Sequence, residues 1–86
     1  MVEFLEALEK SLGGVPEVFI KSEPPWSLEG AECFRVRVVF KSFWSELILT
    51  KDAFKDERVC AEFVAWDYKT KRRQAEAQLQ VERGRV

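Results

Sequence analysis

The sequence predicts an α+β domain of order α-β-β-β-α, with a three-stranded antiparallel sheet covered by two helices on one face. Three observations carry this. Apolar residues recur at helical spacing near the N-terminus, alternate strictly over residues 33–40, and return to three- and four-residue steps after residue 52.

Residues 2–12 place Phe4, Leu5, Leu8 and Leu12 on one helical face and Glu3, Glu6, Glu9 and Lys10 on the other, and Gly13-Gly14 supplies the stop. "EVFIKS" after Pro16 is β-prone and ends before Pro24-Pro25, whose nitrogens cannot donate to a ladder. The loop that follows, "EPPW", carries a tryptophan on a backbone stiffened by its prolines. In the second strand, Phe34, Val36, Val38 and Phe40 face the core, alternating with Cys33, Arg35, Arg37 and Val39. Lys41-Ser42 is read as a tight turn into a third strand, with Phe43, Leu47 and Leu49 inward and Trp44, Glu46 and Ile48 outward.

Over residues 52–68 the apolar positions Ala53, Cys60, Ala61, Val64 and Tyr68 follow a helical period, with Asp52, Asp56 and Glu57 near the positive end of the helix dipole. Phe54 and Phe63 are assigned to the core, and Trp66 to a core edge. The remainder, "KTKRRQAEAQLQVERGRV", combines helix-forming composition with a strand-like alternation of Ala75, Ala77, Leu79 and Val81. A helical extension is expected, giving a domain over residues 1–70 and an extension or tail over 71–86. The competing reading makes residues 58–68 and 74–82 two further strands joined by the basic segment.

The chain has 86 residues, 47% of them apolar and 13% aromatic, enough for one packed core. It carries neither a basic leader nor a run of about 20 apolar residues, so an intracellular setting, cytoplasmic or nuclear, is expected and a membrane is not. Two cysteines without histidine fall short of a structural zinc set, and the lack of histidine removes Ser-His and Cys-His chemistry. The reading is therefore of a non-enzyme with no cofactor, metal or small-molecule substrate. Net charge is −1, but residues 1–32 hold seven acids and two bases, and residues 33–86 eight acids and twelve bases. Only the second part can attract a polyanion.

Four stretches go beyond element order: "LEALEKSLGG", "EVFIKSEPP", "CFRVRVVF" and "KDERVCAEFVA". Across about residues 4–68 they resemble the double-stranded RNA-binding domain, with Leu5 and Leu8 at core positions of its first helix and Phe19 at its first-strand aromatic. The resemblance implies recognition of A-form RNA through three patches: a polar residue on the first helix, the loop between strands one and two, and lysines opening the second helix. The first falls on Ala7, with Glu6, Lys10 and Ser11 beside it. The loop histidine is replaced by Trp26. Of the lysine cluster, Lys51, Lys55 and Arg58 remain, interleaved with Asp52, Asp56 and Glu57. Because duplex affinity scales with the number of phosphates neutralised, this mixture predicts a weakened grip.

The run Lys69, Lys71, Arg72 and Arg73 can offset that loss, or can be an ordinary solvated helix face. Arg35, Arg37, Val39, Trp44, Glu46 and Ile48 lie on the strand face opposite the core. They are candidates for binding another protein, or a second copy through strand three and the open sheet face, as some members of that family do. The blander account has the C-terminal segment, with Leu79 and Val81, folding back over them. The expected function is thus a non-catalytic interaction module of an RNA-handling protein, with residual duplex-RNA contact. A working double-stranded RNA binder with a variant surface is the first alternative, and an unrelated small α+β interaction protein the second.

Overall fold

The computed structural model describes residues 1–23 and 32–84, so Trp26 and the loop containing it lie outside the described residues. Helix α1 spans Val2–Leu12, strands β1, β2 and β3 span Glu17–Glu23, Cys33–Phe40 and Phe43–Thr50, and helix α2 spans Glu57–Arg83. The three strands form one antiparallel sheet in the order β1-β2-β3, the α-β-β-β-α arrangement expected from the sequence.

Helix α1 ends at Gly13, whose φ of 76° is the left-handed geometry in which its N–H bonds the Glu9 carbonyl. Its buried stripe is Phe4, Leu8 and Leu12. Leu5, expected at a core position, is exposed instead, because Phe4 takes the place against the sheet. Both helices cover the same sheet face: Phe4 and Leu8 meet Val36 and Val38 from β2 and Cys60, Ala61, Val64, Ala65 and Tyr68 from α2. Alanines at 61 and 65 let the two helices approach, and burying Phe4 and Leu8 completely contributes about 2–3 kcal/mol each.

Two aromatic clusters close the ends of this core. Phe54 packs edge-on against Phe4 and Phe34, each at 5.7 Å between centroids. At the other end, Tyr68 meets Phe40 and Phe43, and its hydroxyl donates to the Phe40 carbonyl.

The hairpin turn is two residues long, with both Lys41 (φ 50°) and Ser42 (φ 63°) in the left-handed region. That backbone matches the twist of the strands, and here it is held by residues that do not favour it. At the far end of the same pair, the Lys51 N–H donates to the Glu32 carbonyl at 3.0 Å, continuing the β2–β3 ladder. This fixes the phase of the sheet. Even-numbered residues of β2 bond to β3 and odd-numbered ones to β1, so the backbone groups of Val18, Ile20 and Ser22 on β1, and of Trp44, Glu46 and Ile48 on β3, point out of the two edges.

In the second half two expectations are corrected and the competing strand reading is set aside. The helix does not begin at residue 52: Lys51–Lys55 form a 3-10 turn, and Asp56 caps α2 by accepting from the Val59 N–H at 3.2 Å. Phe63 lies outside the core, roughly half exposed, and Trp66 is 60% exposed and stacks on Phe63 rather than closing a core edge. Residues 58–68 and 74–82 are not strands, because α2 runs unbroken through both.

With 27 residues, α2 is about 40 Å long, longer than any strand it crosses. Its C-terminal end therefore projects, and Leu79 and Val81 are exposed there instead of folding over the sheet. Among the described residues, no helix is long and apolar enough to cross a membrane.

Candidate functional site

The sheet face turned away from the two helices is a grid of three rows set by the strand register. Glu17, Val39 and Trp44 form one row; Phe19, Arg37 and Glu46 the next; Lys21, Arg35 and Ile48 the third. Alternation sends all nine side chains away from the helices. Phe19 and Trp44 remain 55% and 56% exposed, and Ile48 is 48% exposed.

Glu46 organises this face. Its carboxylate accepts from Arg35 at 2.8 Å and from Arg37 at 3.1 Å, and the Arg37 guanidinium lies 4.8 Å from the Trp44 ring centroid. The Arg35 hydrogen bond is the main influence holding the Glu46 carboxyl below its ordinary pKa, opposed by partial desolvation and assisted by Arg37. The result is an ordered strip of Trp, Arg, Glu and Arg with apolar residues at its margins. All six residues expected to bind a partner meet through these contacts and the cross-strand pairs Val39–Trp44 and Arg35–Ile48, with Arg37 linking Trp44 to Glu46.

The residues assigned to RNA are distributed differently. Glu6 and Lys10 line a groove of about 490 Å³ between α1 and α2 together with Glu3, Ser11, Arg58 and Glu62. Acids outnumber bases there. At the start of α2, Lys51 pairs with Glu32 at 3.5 Å, Lys55 with Asp52 at 3.2 Å and Arg58 with Glu3 at 3.6 Å. These exposed pairs exchange readily with solvent, but each sets an acid beside its base and leaves the local charge nearly neutral.

The 69–73 run does not form one stripe. Lys69 reaches toward α1 and donates to the Ser11 carbonyl at 2.7 Å, whereas Lys71 reaches toward β3, pairing with Asp67 at 2.9 Å and donating to the Glu46 carbonyl at 2.7 Å. Arg72 bonds Glu76 one turn on, and Arg73 is exposed. Lys69, Arg72 and Arg73 do share a cleft of about 400 Å³, beside Leu12 and the hairpin residue Lys41. Among the described residues that line the cleft, Glu76 is the one acid facing these four bases.

Two participants escaped sequence reasoning. Phe19 was legible as an outward residue from the parity of Val18 and Ile20, but only strand register places it beside Arg37. Lys41 joins a cluster 28 residues away in sequence because Tyr68 holds the hairpin against α2. Both cysteines are buried, and desolvation, with the negative charge of Glu57 second, pushes the Cys60 thiol up and keeps it protonated.

A second apolar surface runs along the outside of α2, where Val59, Phe63 and Trp66 are exposed at one-turn spacing. Comparison with known proteins finds no matching family, no matching curated relative and no matching solved structure.

Proposed function

We propose that this chain is a non-catalytic association module of an RNA-handling protein that binds another protein, or itself, through the open sheet face. The observation that supports this most directly is the Arg37–Trp44 stack beside the Arg35–Glu46–Arg37 ion triad, with Phe19 and Ile48 exposed around it. Tryptophan and arginine dominate the energetics of interfaces, and these arginines are already ordered, so little side-chain entropy is lost when a partner covers them. Strand three takes part through its side chains, since Lys71 occupies the outward carbonyl at its centre.

The RNA context of this reading rests on the resemblance of four sequence stretches to the double-stranded RNA-binding domain. The Lys41, Lys69, Arg72 and Arg73 cleft favours residual duplex contact as a second activity, since among the described residues it gathers four bases around Glu76. The ion pairs of Lys51, Lys55 and Arg58 argue for a weak one.

Titration with a duplex of about 16 base pairs, the span of such a domain, at low and at physiological salt separates the two. Binding detectable only at low salt, and lost in Arg73→Glu, is expected. Micromolar affinity at physiological salt with a steep salt slope would replace association by RNA binding as the principal function. For the sheet face, Trp44→Glu is expected to weaken association through that face while the circular dichroism spectrum stays unchanged.

A further inference from the structure

We propose that the β1 edge pairs antiparallel with the β1 edge of a second copy, about a twofold axis at Phe19, to give a continuous six-stranded sheet. This rests on the association reading above, names a second copy as the partner, and adds a strand-edge contact to the open face.

The two edges of the sheet are unlike. On β3, the outward carbonyl of Glu46 is taken by the Lys71 ammonium, which also carries a charge onto that edge. A lysine so placed is a common guard against strand addition. On β1, Val18 and Ile20 point both backbone groups outward, and among the described residues no hydrogen bond reaches them from beyond the sheet.

The phase of these groups selects the register. In an antiparallel pair the two residues that exchange hydrogen bonds must both point their backbone groups at the partner. Centring the axis on Phe19 sets Val18 opposite Ile20 of the second copy, and Ile20 opposite Val18, so each outward set meets another. The same register sets Glu17 opposite Lys21 in both halves, at the closer, non-hydrogen-bonded positions where side chains approach most nearly. Phe19 meets its own symmetry mate between them. Pro16, without an N–H, falls opposite Ser22 and ends the ladder.

The charges fit this occupant. Among the described residues neither Glu17 nor Lys21 has an ion-pair partner, and Lys21 lies across from Arg35, a like charge. A second copy supplies each with its counter-charge. Directly opposed residues of paired strands share a face, so the two grids merge and the half-exposed Phe19 becomes central.

The test is sedimentation velocity over a wide concentration range on the wild-type chain, on Glu17→Lys, on Lys21→Glu and on an equimolar mixture of the two variants. Both substitutions are at exposed strand positions, and circular dichroism checks the fold. The wild type is expected to dimerise. Each variant alone opposes like charges twice across the axis and should raise the dimer dissociation constant about tenfold or more, each like pair replacing an attractive one. The mixture, in which every 17–21 contact is again between opposite charges, should restore association as a heterodimer. A wild type that stays monomeric throughout, or variants that dimerise as well as the wild type, would overturn the β1 pairing. In the latter case sensitivity to Trp44→Glu would leave association through the face intact, and RNA titration reads the failure of that broader reading independently.

Discussion

Lys71 of α2 donates to the backbone carbonyl of Glu46, in the middle of β3, while the Glu46 side chain on the other side of the sheet holds Arg35 and Arg37. One strand residue thus ties the helical layer to the open face. Its main chain secures the edge, and its carboxylate orders the arginines.

Replacing Lys71 with Met keeps the aliphatic stem and removes the ammonium. The half-exposed Lys71–Asp67 pair is worth little by itself, so the expected loss is about 1 kcal/mol, mostly from the charge-assisted bond to the carbonyl. Urea denaturation measures it. The freed β3 edge should also increase self-association, read as a larger weight-average mass at high concentration.

Glu46 gives a pH signature. Its folded-state pKa is depressed, chiefly by the Arg35 hydrogen bond. The stabilisation is therefore present above the ordinary carboxylate range and is lost as pH falls through the depressed folded value. Carboxyl-detected NMR should find Glu46 titrating below the ordinary carboxylate range, and Arg35→Met should move it upward. A Glu46 midpoint in the ordinary carboxylate range would show that the triad does not persist in solution.

The turn can be relieved. Ser42, at φ 63°, pays the left-handed penalty that glycine avoids. Ser42→Gly is expected to stabilise the chain by roughly 0.5–1 kcal/mol, net of glycine's greater freedom when unfolded. Thermal denaturation checks this. Lys41, which lines the basic cleft, is left in place.

The strands and their faces were legible because alternation is a local property, and a slip of one residue would have turned Arg35 and Arg37 into the core. The start of α2 was not. Ala53 fits a helical period, yet Phe54 is drawn between Phe4 and Phe34, which tightens Lys51–Lys55 into a 3-10 turn. Phe63 was misassigned because hydrophobicity alone does not say which side of a helix faces the sheet; Cys60, Val64 and Tyr68 fill that side. The basic run was visible as charge, but its division was not. Lys69 and Lys71 are two residues apart, so a helix sends them to different neighbours.

Two polar groups in the same core should respond with opposite signs. Ser45 is buried on the inner face of β3, and its hydroxyl has no hydrogen-bond partner among the described residues. The Tyr68 hydroxyl, equally buried, donates to the Phe40 carbonyl at the neck of the hairpin. Removing an unpaired buried hydroxyl relieves a desolvation cost, whereas removing a paired one forfeits its bond. Ser45→Ala should therefore raise stability by about 1 kcal/mol and Tyr68→Phe lower it by about 1 kcal/mol. Both are read from denaturation midpoints at constant slope. Hydrogen exchange should show the Tyr68→Phe loss concentrated in faster exchange around Phe40 and Phe43, because the tyrosine bond is what fastens that end of the hairpin to α2.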